Sequence, residues 1–304
     1  MTSNGGDTVK NSHSTPLGHS ARSGFTLAEL VIVVAVIGAV LALVTPWIHW
    51  SRQASERTTC ARNLRDLGLG VHNYHDAHNE LPPLAAGDGH FSWSWFLVES
   101  VEACGHLWKA HNDSTKPASA GMNKSDVVEY RMLYQCPSRG IRLTRKGVFA
   151  GGQPTDYIAV STTLSTKWNF DTDGMIVFPK QPPTPKSRAR SGITFGDVTD
   201  GLSNTAMFGE KHMRAQWLGG PLDQPALVAF EDQRTIRVGG DRVGMRGLAN
   251  GPDDPDNWKF GGWHPGVTMF VLGDASVRPV QNSITPQVLR HLFSRNDGES
   301  FELP

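Results

Sequence analysis

Residues 25–48 form one long apolar run, and Glu29 is the only charged side chain within it. As a helix that rises ~1.5 Å per residue, this run would extend roughly 36 Å, which exceeds the ~30 Å hydrocarbon core of a bilayer. A cleavable signal peptide explains it poorly, because the run is too long and no small-x-small cleavage site follows. We therefore predict a membrane-spanning helix whose carboxylate needs a cationic partner or a shallow position.

The letters GFTLAEL, beginning at Gly24, open this run. They resemble the prepilin-type cleavage and methylation signal of type IV pilins and type II secretion pseudopilins. The resemblance implies that prepilin peptidase cleaves between Gly24 and Phe25, and that Phe25 becomes the methylated amino terminus. A buried Glu29 would then pair with the terminal amine of a neighbouring pilin-like subunit, because a buried carboxylate needs a cation. An ordinary signal anchor, in which these letters are incidental, is the alternative.

The chain divides into four predicted parts. Residues 1–24 are typical of a leader peptide, and residues 25–48 of a transmembrane helix. Residues 49–81 continue as an amphipathic stalk helix that a Pro-Pro pair beginning at Pro82 should end, and residues 82–304 form an exported domain. The stalk prediction depends on side chains that recur at steps of four and three: Cys60, Leu64, Leu67, Val71, Tyr74 and His78.

Beyond the stalk, short apolar segments alternate with turns rich in Gly and Pro. This pattern predicts strands at residues 133–136, 157–161, 175–178, 193–195, 206–210, 267–272 and 276–280. Helices are predicted at residues 93–108 and 285–293. The Gly273-Asp274-Ala275 turn between the last two strands predicts a hairpin. We expect an α+β, pilin-like fold in which the long N-terminal helix packs on a mainly antiparallel sheet.

Further motifs along the chain are similar to those of one large bacterial family, and they occur in the same order. They are CARNL from Cys60, LGLGVHNYHD from Leu67, QCPS from Gln135, VTDGLSNT from Val198, GE from Gly209, HPG from His264 and VLGDASVR from Val271. Proteins of this family, found in many copies in planctomycete bacteria, combine a prepilin-type signal with a domain of unknown function and a C-terminal H-x9-DG motif. The domain is also classified with solute-binding proteins. Here Ala275 replaces the motif's final glycine, which weakens any claim that this turn needs a positive φ at that position.

The H-x9-DG-like motif offers His264 and Asp274 as a candidate catalytic or metal-binding pair. Such a pair needs hydrogen-bond reach, roughly 3 Å. The six-residue strand predicted between them spans about 20 Å, at ~3.3 Å per residue. We therefore expect His264 to build the entry turn of the strand and Asp274 to close the hairpin with its side chain.

The DGLSN segment contains Asp200, Gly201, Ser203 and Asn204, and Ser203 is a candidate nucleophile. It lacks the G-x-S-x-G elbow, and no histidine or acid is tied to it by spacing. We expect a turn in which the polar side chains bond local backbone groups. A sugar or calcium contact is the alternative.

Histidines recur every three residues along the stalk, at His72, His75 and His78, and two of them with Asp76 could bind zinc. The chain lacks an HExxH motif and a cysteine pair with zinc-finger spacing. We therefore predict a packed helix face, with no metal and no cofactor.

The chain has three cysteines, which allow one disulfide and one remaining thiol. Cys60 and Cys136 both fall in motifs that resemble the family, whereas Cys104 lies outside them. The resemblance therefore favours a Cys60–Cys136 disulfide in an exported domain, where oxidation is permitted. A free, buried Cys60 is the alternative.

Nine tryptophans are many for a chain of this length. Trp258 and Trp263 have Gly- and Asp-rich neighbours, so they are candidates for an aromatic platform that binds glycan or a protein partner. Core packing is the alternative explanation for both residues.

Two classes of function remain. The first is a non-enzymatic, pseudopilin-like protein that prepilin peptidase processes and that assembles with other pilin-like subunits. The second is a membrane-tethered module that binds a glycan or solute. The zero net charge provides no footprint for nucleic acid, and no constellation has catalytic spacing. The resemblance implies a single pass of the bacterial inner membrane, with a cytoplasmic N-terminus and a periplasmic or cell-surface domain.

Overall fold

A computed structural model of the chain describes residues 26–84, 92–98, 100–101, 133–140, 154–161, 173–179, 189–219, 223, 236–238, 246–256 and 258–302. The chain divides into two compact units, Met1–Trp50 and Ser51–Pro304.

Helix α1 runs from Leu27 to His78, so the predicted transmembrane and stalk segments belong to one helix. A capping box opens it. The Thr26 hydroxyl accepts from the Glu29 N–H at 3.3 Å, and the Glu29 carboxylate accepts from the Thr26 N–H at 2.8 Å. This reciprocal arrangement satisfies two donors of the first turn. The helix ends where Asn79 adopts a left-handed conformation with φ of 55°, which asparagine tolerates at this position.

The two halves of α1 differ in burial. Every side chain from Leu27 to Trp50 is exposed. Among the described helices, α1 is the one whose length and composition would allow it to cross a membrane. In the second half, the predicted stripe is the buried face: Cys60, Leu64, Leu67, Val71 and Tyr74 lie in the core of the domain.

Five strands in the described part of the chain form one sheet. They are β1 (Tyr157–Ser161), β2 (Ala206–Glu210), β3 (Ile236–Val238), β4 (Val267–Leu272) and β5 (Val277–Gln281). Their order is β3-β1-β2-β4-β5, and every neighbouring pair is antiparallel except the parallel pair β1 and β3. The prediction of an α+β fold with a mainly antiparallel sheet is therefore confirmed.

The sheet separates two clusters of buried side chains, because successive residues of a strand point to opposite faces. Val271 of β4 belongs to the cluster that contains Leu64 and the rest of the buried face of α1. Its neighbour Phe270 belongs to the other cluster, where its ring centroid lies 5.4 Å from that of Phe293. Phe293 ends helix α3 (Pro286–Phe293), close to the bounds predicted for it.

Strands β4 and β5 form the predicted hairpin, and Asp274 Oδ1 accepts from the Ser276 N–H at 2.9 Å. Ala275 has a φ of +62°, so the turn adopts a positive φ at this position although alanine replaces the glycine. The Ala275 N–H donates to the Leu272 carbonyl at 2.9 Å, and the hairpin holds alanine in a conformation that costs about 1–2 kcal/mol.

Three predicted strands are not part of the sheet: residues 133–136, 175–178 and 193–195. The first contains a helical turn. In the other two, single hydrogen bonds replace a ladder: the Leu84 N–H donates to Val177, and the Leu81 N–H donates to Ile193, both at 2.7 Å. Among the described residues, both predicted strands therefore bond to the segment that follows α1 and not to another strand. An apolar pattern in the sequence does not predict which backbone groups will pair.

The second predicted helix is shorter than expected. Helix α2 covers Trp93–Val98, and Val101 lies beyond its end. The remaining positions of that prediction, Cys104 and Trp108, lie outside the described residues.

Candidate functional site

The processing signal is described only from Thr26 onward, so Gly24 and Phe25 lie outside the described residues. Glu29 is exposed at the start of α1, where both the N–H and the hydroxyl of Thr26 donate to its carboxylate, at 2.8 and 2.9 Å. In the isolated chain this acid therefore has a structural role as the acceptor of the capping box.

A disulfide joins Cys60 of α1 to Cys136, the residue before the 3-10 helix Pro137–Arg139. Their Cα atoms lie 5.4 Å apart, within the usual range for a disulfide. This is the pair that the family resemblance favours. Both residues are buried, at 0% and 1% exposure.

Two further side chains meet this disulfide in the interior. His264 Nε2 lies 3.5 Å from Cys136 Sγ and 3.1 Å from Glu210 Oε1. Glu210 and His264 are 0% and 4% exposed. Each of the four residues offers one potential ligand atom for a metal ion, and these atoms all lie within 4.8 Å of one another. The cluster therefore combines two sulfurs, one imidazole and one carboxylate in a site shielded from solvent.

A buried ion pair holds the loops that carry this cluster. Arg139 Nη1 donates to Asp156 Oδ1 at 2.8 Å, and Asp156 Oδ2 accepts from the Cys136 N–H at 2.7 Å. Arg139 Nη2 donates to the carbonyls of Lys211 and Gly261, the latter at 2.7 Å. One guanidinium thus connects the loop of Cys136, the end of β2 and the loop that leads to His264.

Glu210 ends β2, and the sheet fixes its position. Its Oε2 accepts from the Met269 N–H of β4 at 2.9 Å. A Cβ at Gly262 would lie 2.2 Å from Oε2, so glycine leaves the room that the carboxylate occupies. Among the described residues Oε1 has no hydrogen-bond donor in favourable geometry, and His264 Nε2 lies 3.1 Å from it.

Tyr157 pairs with Glu210 across β1 and β2, and it is fully buried. Burial raises the pKa of the Tyr157 hydroxyl well above its usual value, and the negative charges of Glu210 and Asp156 raise it further. The hydroxyl accepts from the Asn63 side-chain amide at 3.3 Å, which opposes that shift. Tyr157 therefore stays neutral beside the carboxylate.

The sequence interpretation missed this cluster. The structure places His264 in the expected entry turn, where its carbonyl accepts from the Val267 N–H at 3.5 Å. Its side chain, however, also contacts Glu210 and Cys136 in the interior. The Asp274 carboxylate, by contrast, accepts from the Ser276 N–H within the hairpin. In the sequence, the only signal at Glu210 is the Gly-Glu motif that resembles the family. No spacing rule connects residues so far apart in sequence.

The DGLSN segment forms a turn, but the expectation of purely local bonding is wrong for Asp200. Its carboxylate accepts from the N–H groups of Asp297 and Gly298, at 2.7 and 3.0 Å, and so ties the turn to the C-terminal segment. Asn204 bonds locally, donating to the Asp200 carbonyl at 3.0 Å. The turn residues Gly201, with φ of 96°, and Ser203, which is exposed, complete the segment.

The stalk histidines pack against the domain. His72 Nε2 lies 2.9 Å from the Gly273 carbonyl oxygen, and the rings of His72 and His75 both lie 4.5 Å from that of Phe195. The His78 ring lies 4.3 Å from the Tyr74 ring. These contacts account for the histidine face as packing.

The two candidate platform residues differ. Trp258 is 37% exposed. Trp263 is half-buried, and its indole N–H donates to the Met213 carbonyl at 3.1 Å. Trp263 therefore has a structural anchor, and Trp258 is the more exposed of the two.

Comparison with known proteins identifies two regions. Residues 51–287 match the model of a protein of unknown function, DUF1559 (SBP_bac_10). Residues 19–45 match the prokaryotic N-terminal methylation motif, which marks a pilin-like protein with prepilin-type processing. No curated protein and no solved structure matches the chain. Because the first match covers most of the sequence, the chain belongs to the DUF1559 (SBP_bac_10) family, and it carries a prepilin-type methylation motif at its amino terminus.

Proposed function

We propose that this pilin-like protein is a non-enzymatic subunit that assembles, through the first half of α1, in a type II secretion or type IV pilus-like system. Prepilin peptidase would cleave before Phe25 in the bacterial inner membrane. The chain would cross that membrane once, with its N-terminus in the cytoplasm and its domain in the periplasm or at the cell surface.

The observation that carries this proposal is the exposed, apolar first half of α1. From Leu27 to Trp50 no side chain is buried, and large apolar residues such as Ile32 and Leu43 are 63% and 72% exposed. Exposed apolar surface of this extent requires lipid or other apolar helices around it. Glu29, at the start of this surface, is the one carboxylate between Leu27 and Trp50 and could select a cationic partner there.

The capping box explains how Glu29 could change partners. Cleavage before Phe25 would leave the bonds between Thr26 and Glu29 intact, so the processed monomer would keep a satisfied carboxylate. In the assembly, the amino-terminal cation of a neighbouring subunit would replace these neutral donors. The ammonium adds a full positive charge opposite the carboxylate, which the neutral donors lack, and this Coulombic attraction is stronger in a medium of low dielectric constant, which favours the exchange.

The first experiment is mass spectrometry of the mature amino terminus, on protein purified from its own membranes. The proposal expects the chain to begin with N-methylated Phe25. An intact leader would show that the processing step does not occur, and it would leave Glu29 in an uncleaved anchor.

The second experiment separates the charge of Glu29 from its capping role. Glu29→Gln keeps an acceptor for the capping box but removes the charge, so we expect membrane insertion without assembly. Thr26→Ala is the matched control, because it removes the capping hydroxyl but keeps the charge, and we expect it to assemble. Crosslinking in membranes measures both. Normal multimers of Glu29→Gln would contradict the proposal.

The alternative, a membrane-tethered binding module, has one supporting observation. Outside the first half of α1, Leu69 and Trp258 are the exposed large apolar side chains in the described part of the domain. A binding module would remain monomeric in the crosslinking experiment. Its tryptophan fluorescence would be quenched by an oligosaccharide, and Trp258→Ala would abolish the quenching.

A further inference from the structure

We propose that reduced Cys60 and Cys136, together with His264 and Glu210, form a closed zinc site. The same four side chains would then have two mutually exclusive states, a disulfide beside a His–Glu pair and a four-ligand metal centre. The proposal does not depend on whether the protein assembles.

Two distances already fit a tetrahedral centre. Zinc bonds of about 2.3 Å to sulfur, 2.0–2.1 Å to nitrogen and 2.0–2.2 Å to oxygen place neighbouring sulfur and nitrogen ligands about 3.5 Å apart, and nitrogen and oxygen ligands about 3.3 Å apart. Cys136 Sγ lies 3.5 Å from His264 Nε2, and that nitrogen lies 3.1 Å from Glu210 Oε1. Once the disulfide is broken, the main change required is separation of the two sulfurs.

The carboxylate supplies an independent reason for a cation at this place. Glu210 Oε1 is fully buried, and although His264 Nε2 lies 3.1 Å from it, no described residue donates a hydrogen bond to it in favourable geometry. Leaving a buried acceptor without a donor is unfavourable, and more so for a charged group. Coordination of Oε1 to a divalent cation would compensate, while Oε2 keeps its bond from the Met269 N–H.

The donor set and the burial indicate which metal fits and what it would do. Thiolate, imidazole and carboxylate together suit zinc, whereas magnesium and calcium prefer oxygen ligands alone. Four protein ligands, all at most 4% exposed, leave no open position for a substrate. The centre would therefore be structural, and it would tie Cys60 of α1 to the sheet when the disulfide is absent.

The two states differ by two electrons. A dithiol would reduce the disulfide by supplying two electrons and two protons, and it would itself become a disulfide. Zinc would then displace the two thiol protons from Cys60 and Cys136, since the thiolate is the form that binds metal. In the reverse direction, a second disulfide would accept two electrons from the thiolates and two protons from solvent to become a dithiol, the Cys60–Cys136 disulfide would re-form, and the metal would be released.

The test uses the full-length chain in detergent, with Cys104→Ser so that the pair supplies the only thiols. The protein is reduced with a phosphine in mild denaturant and returned to native buffer with stoichiometric zinc or cobalt, without oxygen. We expect one metal per reduced chain and none per oxidised chain. The cobalt form should show the ligand-field bands of a tetrahedral site and a thiolate charge-transfer band.

Three variants test the ligand set. His264→Gln and Glu210→Gln should each weaken zinc binding by at least about 100-fold, because even outer partners of a metal site contribute 10–100-fold. His291→Gln is the matched control, since His291 pairs with Asp297 near the C-terminus and should leave the affinity unchanged.

The cobalt spectrum of the unsubstituted cluster decides the question if a ligand variant fails to fold. An octahedral spectrum would overturn the proposal. So would a metal content no higher than that of a Cys60→Ser, Cys136→Ser double variant. Either result would leave the cluster as a disulfide packed against His264 and Glu210.

Discussion

The first half of α1 and the interior of the domain handle charge in opposite ways. In the first half of α1, the single charged group is exposed and bonds to a residue three positions away. In the interior of the domain, charged groups are buried and their contacts join distant parts of the chain: Arg139 donates to the carbonyl of Gly261, 122 positions away. The first region is exposed and can contact lipid or another chain, whereas the polar groups in the interior of the domain contact one another.

This difference shows where each kind of information lies. The first half of α1 has local contacts, so its structure can be predicted from consecutive residues. Its exposed apolar surface, however, requires lipid or another helix as a partner. A domain with buried charges depends on distant partners, because an unpaired charge in the interior is strongly unfavourable. Substitutions should therefore be much more damaging in the domain interior than at exposed positions, and four predictions test that contrast.

The largest effect is expected from removing the disulfide. Cys60→Ala with Cys136→Ala releases a loop whose ends are 76 positions apart, which should lower the free energy of unfolding by about 4–5 kcal/mol. Chemical denaturation of the full chain in detergent, with a chelator present, measures the loss. A change below about 1 kcal/mol would mean that the interior depends little on this link.

Arg139→Met should be nearly as damaging. It would leave Asp156 buried without its cation, a loss that typically costs about 3–5 kcal/mol. Arg52→Met is the matched control, because Arg52 forms an exposed pair with Glu56 one helical turn away, and such pairs contribute about 0.3–0.5 kcal/mol. Similar losses for the two variants, measured by the same denaturation, would break the contrast between buried and exposed charge.

Gly262→Ala should have a moderate effect. The added Cβ would lie 2.2 Å from Glu210 Oε2, and such overpacking typically costs about 1–3 kcal/mol. Gly251→Ala serves as the control, since its Cβ would meet nothing within 4 Å. Thermal unfolding distinguishes the two variants. A neutral Gly262→Ala would show that the Glu210 carboxylate can move freely.

The smallest effect concerns Asp254. Burial raises the pKa of Asp254, but hydrogen bonds from the Asp256 N–H, the Lys259 ammonium and the Asn250 N–H outweigh it and lower the pKa below 3.8. The folded state thus favours the ionised form, and this stability is present above the ordinary pKa and lost as the pH falls through the folded pKa. Asp254→Asn should be less stable than the native chain at neutral pH.

The pH profile checks the assignment of that effect. The gap between Asp254→Asn and the native chain should narrow as the pH falls below about 4, where the carboxyl becomes protonated. Unfolding curves measured across that window would reveal the change. A gap that stays constant with pH would assign the loss to the shape of the asparagine and not to its missing charge.

Patterns that repeat within a few residues predicted a large part of the fold. The stripe beginning at Cys60 identified the buried face of α1, and the Gly273-Asp274-Ala275 turn identified the hairpin. The expected strands at residues 175–178 and 193–195 failed because isolated apolar runs do not say which backbone groups will pair with them. The sequence did not predict the buried cluster for a related reason, because no spacing pattern links Glu210 to His264.

The sequence by itself determined the apolar helix, its acid at Glu29 and the processing signal, because these depend on consecutive residues and on the thickness of a bilayer. Only the tertiary structure decided that Glu210 and His264 meet Cys60 and Cys136. The order and register of the strands set the distances between residues far apart in sequence, and the desolvated interior then requires that their charges and polar atoms be paired.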